Sequence, residues 1–137
     1  MFKELNLRVN YVVDLSSVAD LAQLSEAVAT VSFCNTLSTY LASGLEQEFG
    51  VPQVKAPQPY GFAGTDAWLR ELGRLTHRED LVEKYIARKH AEVEPKVAAL
   101  RKKLKGLRGM SATGSAYSHG LVSVIRELGV ESDATMV

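Results

Sequence analysis

This 137-residue chain carries a single cysteine. No internal disulfide can form, and a chain of this length can bury enough apolar surface to do without one. Neither a signal-peptide pattern nor an apolar run of about 20 residues is visible, which reads against secretion or membrane insertion and for a reducing cytoplasm. Excess charge is missing too. The 16 basic and 16 acidic residues cancel, which argues against nucleic acid or an anionic membrane as the main partner. Internal repeats and low-complexity tracts are lacking. What is present is ordinary for a globular chain, 46% apolar and 23% charged, and fits one compact domain.

The order of apolar residues predicts alternating strands and helices. "LRVNYVV" (7–13) and "VATVSF" (28–33) are short β-branched runs that read as largely buried strands of a parallel sheet. Between them Val18, Leu21 and Leu24 fall at helical spacing, with Ser16 or Ser17 able to cap the start. From Asn35 a second helix is expected, with Leu37, Leu41, Leu45 and Phe49 at i+4 and Gly50 and Pro52 as terminators. "QVKA" (53–56) should be a third strand. "PQPYGFAGT" (57–65) reads as a Pro- and Gly-rich loop at that strand's carboxyl end, where open α/β sheets hold ligands, or as a plain connector.

Trp68, Leu69, Leu72 and Leu75 share one helical face and should be core. "THRE" (76–79) has the form of a capping box opening a long helix, whose stripe of Val82, Ile86, Val93, Val97, Leu100 and Leu104 is interrupted by Pro95, so a kink or break is expected near Glu92 to Glu94. Ten of the sixteen positive charges lie between Arg78 and Arg108. They read as a solvated face complementing the helix dipole, or as a docking patch for an acidic protein. A short strand near 108–112, a helix over 118–128 and a strand over 130–137 close a second βαβ unit.

The fold class expected is therefore α/β: a mostly parallel sheet with helices on both faces, built from Rossmann-like β-α-β units with right-handed crossovers. Residues 1–106 form a Rossmann-like domain including a long kinked helix over 77–105. Residues 107–137 form a βαβ unit that either joins the first sheet or opens a following domain.

Two places could carry chemistry. Cys34 falls where a strand hands over to a helix, and unpaired N–H groups with the helix dipole favour a thiolate there, as ligand or nucleophile; the alternative is a small buried hydrophobe. "ATGSAYSHG" (112–120) is a second strand-to-helix turn whose small residues allow a ligand close to backbone N–H groups. It matches neither the G-x-G-x-x-G nor the G-x-x-x-x-G-K-[ST] pattern, so nucleotide binding is unsupported. His119 in this turn could be ligand, acid/base or cap. His77 and His90 read as exposed, and one cysteine with three scattered histidines makes no metal motif of recognised spacing. No catalytic residue is assigned.

Taken together, the strand ending in Cys34, "TYLASGLEQEFGVP", "APQPYGFAGTDAWLRELG", the long basic helix with Pro95, "GLRG" and "TGSAYSHGLVSVIRELGVE" resemble nitrogenase component 1 and its relatives nearly end to end. That family includes α and β catalytic subunits, the cofactor-assembly scaffold, protochlorophyllide and chlorophyllide reductases and other nitrogenase-like reductases. The resemblance implies an iron-sulfur-type metallocluster, with or without a heterometal, ligated by Cys34 and approached by Gly114, Ser115 and His119. It implies two partners, a homologous component 1 subunit and an ATP-dependent iron-sulfur reductase.

Two departures shape the expectation. "SAYSH" lacks the arginine that α subunits binding the iron-molybdenum cofactor carry in this loop, which reads against molybdenum-type nitrogen reduction. "PYGFAGTDAWL" is closer to the β-type and protochlorophyllide-reductase pattern. The family's amino-terminal domain and its carboxyl-terminal histidine ligand have no counterpart in these residues, so the chain looks like a middle domain plus the opening of the next. The function expected is a portion of a nitrogenase-like reductase subunit. The alternatives are a cofactor-assembly scaffold relative and a stand-alone α/β domain that has lost the metal.

Overall fold

A computed structural model describes residues 1–12, 16–33 and 39–136, with the backbone alone at 115, 116, 118, 119 and 133–136. Its centre is a helical hairpin. Helix α3, Gly61–Thr76, buries Trp68, Leu69 and Leu72, and helix α4, Glu79–Leu104, buries Val82 and Ile86 against them. Two earlier helices, α1 (Val18–Ala22) and α2 (Thr39–Phe49), precede this pair. Only His77 and Arg78 join α3 to α4. His77 takes φ 53° to end α3, and Arg78 donates its N–H to Gly73 at 2.9 Å. Close packing at the bend needs a glycine, because a Cβ on Gly73 would sit 2.9 Å from Val82 Cγ2. The core is completed by an amino-terminal 3-10 turn, Phe2–Leu5, through the fully buried Leu5, and by Val54.

The capping box expected at Thr76 and Glu79 is not formed. Thr76 is still inside α3 and buried, so its hydroxyl donates to the Leu72 carbonyl at 2.8 Å, the i−4 partner a helical threonine finds first. Arg78 stands at the start of α4 with no side-chain cap. Farther along, α4 runs through Pro95 without a break. The carbonyl that Pro95 leaves without an N–H donor belongs to Ala91, on the exposed side where water can replace the lost bond. A true capping box does occur at α1. The Ser17 hydroxyl accepts the Asp20 N–H at 3.2 Å and the Asp20 carboxylate accepts the Ser17 N–H at 2.9 Å.

The carboxyl-terminal βαβ unit is as expected. Strand β1, Arg108–Thr113, helix α5, Ser115–Glu127, and strand β2, Glu131–Met136, form a parallel pair in register from Arg108 opposite Glu131 to Thr113 opposite Met136. Helix α5 packs on both strands and against α3. The amino-terminal sheet is much smaller than expected. Residues 7–12 join no ladder, and the runs 28–33 and 53–56 meet only at one parallel bridge, Thr30 with Gln53. There the Thr30 N–H donates to Pro52 at 2.8 Å and the Val54 N–H to Thr30 at 3.0 Å. The architecture is α/β, helical with a small parallel sheet.

Two apolar stripes also differ from expectation. Val18 is 84% exposed, and of the α2 stripe Leu45 is buried while Leu41 and Phe49 are not. Leu37 of the α2 stripe lies outside the described residues.

Arg70 on α3 and Glu83 on α4 pair in fork geometry at 2.6 and 3.1 Å. The hydrogen bond from Arg70 holds the Glu83 carboxyl below its ordinary range. The folded chain thus favours the ionised form, and the pair's contribution is complete above the ordinary carboxylate range and lost as pH falls through the lower, folded value. Both groups are half exposed, so the contribution is small and weakened by salt. Glu83→Gln should be less stable than the parent near neutral pH in urea unfolding, and equal to it in acid.

Candidate functional site

The segment that positions the site is the loop before α3. Glycines of the neighbouring helices let it pack closely: a Cβ on Gly64 of α3 would lie 2.5 Å from the Gln58 carbonyl, and one on Gly120 of α5 would lie 2.3 Å from the Tyr60 ring. Gln58 and Tyr60 are thereby held against α3 and α5. Gly61, at φ 65°, opens α3 without a side-chain cap, and the carboxylate of Glu127 supplies one from the far end of α5. It accepts the N–H of Phe62 at 2.7 Å and of Ala63 at 3.0 Å. An anion at a helix amino terminus meets both the orphan donors and the positive end of the dipole. The backbone carbonyl of Glu127 accepts from Arg101 Nε of α4 at 2.7 Å, so one residue ties three helices together.

On its other side the loop reaches Phe33. Gln58 Nε2 donates to the Phe33 carbonyl at 3.2 Å, and the Phe33 ring stacks on Trp68 with centroids 5.4 Å apart. A cavity of about 380 Å³ opens here between Phe33, Pro59, Tyr60, Thr65 and Trp68. Trp68 is 2% exposed, yet its indole N–H has no hydrogen-bond partner among the described residues.

Of the residues singled out from the sequence, Cys34 lies outside the described residues. Phe33, which precedes it, ends at the loop just described. Gly114 caps α5 with no side-chain hydrogen bond, and a Cβ there would meet nothing within 4 Å. Ser115 and His119 lie in the first turns of α5, where the description is of backbone. Beside Gly114, Thr113 Oγ1 is buried with no hydrogen-bond partner among the described residues. Tyr60, packed on Gly120, and Gln58, bonded to Phe33, place Phe33 and the amino-terminal half of α5 on the same short loop.

A second cleft, of about 370 Å³, lies between α3, α4 and α5, walled by Leu69, Ile86, Val97 and Val124. His90 lines it, half-buried rather than exposed as the sequence suggests, with Nε2 2.9 Å from Asp66 and its ring 4.6 Å from Phe62. Asp66 and His90 are 24 residues apart, a separation that no local pattern signals. Lys89 on the same wall is raised above its ordinary range by the hydrogen bond to Glu92.

Residues 1–136 match the family described as nitrogenase component 1 type oxidoreductase. The chain belongs to that family. The nitrogenase iron-molybdenum cofactor biosynthesis protein NifE of Klebsiella pneumoniae is 30% identical over 85% of the chain, which covers 26% of that protein. The nitrogenase molybdenum-iron protein alpha chain of Methanosarcina barkeri is 27% identical over 81% of the chain, which covers 21% of it. The solved structure "Nitrogenase Cp1 at pH 5" superposes with a TM-score of 0.85 at 21% identity, covering 98% of the chain and 28% of that protein, and so shares the fold. The chain thus spans about a quarter of the length of these component 1 proteins. No helix among the described residues is long and apolar enough to cross a membrane.

A component 1 protein implies a metallocluster, and the residues present can be tested for it. Among the described residues no group of three or more His, Cys, Asp or Glu converges, so this chain offers no complete ligand set of its own there. What it offers is partial: at Gly114 an added Cβ would meet nothing within 4 Å among the described residues, and next to it the buried Thr113 hydroxyl has no hydrogen-bond partner among them. A buried hydroxyl without a partner costs about 1–3 kcal/mol, which an acceptor or donor from a bound group would offset.

Proposed function

We propose that this chain is the cluster-facing portion of a nitrogenase-like subunit, with Cys34 as its one metal ligand and the turn at Gly114, Ser115 and His119 as the wall beside it. The observation that carries this reading is the loop Gln58–Tyr60, which touches both Phe33, next to Cys34, and α5, the helix that Gly114 opens. Cys34 would hold iron as a thiolate, a soft donor suited to iron-sulfur-type clusters. The backbone N–H groups of the Gly114 turn, unpaired at a helix start, would donate toward the cluster's negative charge. When bound, the cluster supplies redox chemistry that no side chain here can.

Similarity to NifE proteins, whose name places them in cofactor biosynthesis, favours a scaffold on which a cluster or its precursor is held. The absence of arginine in "SAYSH" is consistent with that reading. Similarity to a nitrogenase alpha chain supports the second reading, a reductase paired with a homologous component 1 subunit and fed by an ATP-dependent iron-sulfur protein.

Iron and sulfide analysis after anaerobic reconstitution tests the shared part. The parent chain should retain iron and Cys34→Ala should fall to background. Iron in neither protein would leave a stand-alone α/β domain without metal. Electron uptake from the ATP-dependent partner, present for a reductase and missing for a scaffold, separates the two readings.

A further inference from the structure

Helix α4 carries two rows of side chains that the hairpin core uses only in part. Ile86, Val93 and Leu100 are seven residues apart, and His90, Val97 and Leu104 each follow four residues later, which is the spacing of a coiled-coil seam. Ile86 is buried in the core, Val93 and Val97 are half-buried on the wall of the cleft of about 370 Å³, and Leu100 is 44% exposed. Lys89, Lys96 and Lys103 are also seven apart and flank the seam on one side. On the other flank Glu94 and Arg101 bond to each other, and Arg101 reaches the Glu127 carbonyl of α5, so the chain itself closes that side. We propose that the seam and the cleft form a docking groove for an acidic amphipathic helix of a separate protein. Its apolar side chains enter the cleft and its carboxylates face Lys96 and Lys103.

Charge selects the partner. The helix dipole accounts for cations in the last turn, but its effect fades within that turn, and Lys96 stands about two turns before the end of α4. Nor does a dipole call for an exposed leucine between two lysines. Lys96 and Lys103 are exposed and make no ion pair among the described residues, and Glu92, the anion between Lys89 and Lys96, is bonded to Lys89 at 2.7 Å. The carboxylates lining the cleft have partners already: Asp66 lies 2.9 Å from His90, and Glu127 accepts the N–H groups of Phe62 and Ala63. The groove thus presents apolar walls beside cations that have no carboxylate of their own, and in helix-to-helix docking such flanking charges decide which partner fits. The uncovered stretch over 93–104 is about 17 Å long, three turns of a docked helix. A second copy of α4 would bring the same lysine row, so it supplies no complement.

The probe is a fluorescent synthetic helix with leucine at its seam positions and glutamate on both flanks, titrated with the full chain and followed by anisotropy. Its controls are a scrambled isomer and a version with lysine for glutamate. The acidic helix should bind more tightly than either control. Joint Lys96→Glu and Lys103→Glu substitution should weaken its binding about tenfold, the scale of two exposed ion pairs, and strengthen binding of the lysine version. Leu100→Asp should weaken the acidic helix too. All three positions are exposed, and unfolding midpoints equal to the parent's show that the variants fold. Equal binding of the acidic helix and its scrambled isomer, or binding indifferent to the two lysine reversals, overturns the proposal. So does a parent chain that sediments as a dimer and is returned to monomer by Leu100→Asp, since a second copy would then fill the groove.

Discussion

Trp68→Ala should destabilise the chain by about 3–5 kcal/mol, the range for emptying a large aromatic site in a packed core. Trp68 is 2% exposed, meets the Phe33 ring face on and the Phe2 ring edge on at 6.4 Å, and lies in the same cluster as Leu69, Leu72, Val82 and Ile86. Its removal undoes the contacts that bring the amino-terminal turn and the residue before Cys34 onto α3. Trp68→Phe makes a sharper comparison. It keeps most of the apolar volume and deletes the indole N–H, which has no partner among the described residues, so relief of that group offsets part of the lost packing. Urea unfolding should therefore place Trp68→Phe much closer to the parent than to Trp68→Ala. Equal losses in the two variants would show that the indole N–H is satisfied in solution.

Glu127→Ala should cost about 2 kcal/mol, the scale for hydrogen bonds to a charged group, although Glu127 lies at the end of its helix. Its carboxylate is the cap of α3, accepting from Phe62 and Ala63, and α3 has no cap from its own sequence. Water can reach the Ala63 N–H more readily than the half-buried Phe62 N–H, which keeps the loss below that of two fully buried bonds. Gly61→Ala approaches the same contact from the other side. Its Cβ would lie 2.4 Å from Glu127 Oε2 at a φ of 65°, so it should destabilise despite the better helix propensity of alanine. Denaturant midpoints for the two variants measure both effects. A Glu127→Ala chain as stable as the parent would mean that water caps α3 equally well.

The legible parts of the fold are those that a short window of sequence determines. Trp68, Leu69 and Leu72 announce α3, Val82 and Ile86 announce α4, and the strand-turn-helix-strand order of 108–136 gives the parallel pair, because each signal lies within one element or one crossover. The amino-terminal strands fail for the opposite reason. A β-branched run becomes a strand only beside a partner, and residues 7–12 have none among the described residues. Thr76 shows a local motif losing to context, since the same residue that could cap α4 is still inside α3.

For the candidate site, the sequence marks local turns and not the contacts that join them. Strand-to-helix turns drew attention to Gly114, while Gln58 to Phe33, Asp66 to His90 and Glu127 to Phe62 join residues 25, 24 and 65 apart, which no periodicity links. The placement of Cys34 is outside the described residues, so the sequence argument for it stands as an expectation.

Helix α4 gives a molecule of zero net charge a strong polarity. From Glu94 to Lys105 one anion stands against Lys96, Arg101, Lys102, Lys103 and Lys105, while Glu79 and Asp80 lie at the other end of a rod about 39 Å long at 1.5 Å per residue. A charged body drifting past would be turned before it touches, and only within about 8–10 Å of the surface at physiological salt. Orientation on approach, rather than tightness of the final grip, is what such a rod contributes.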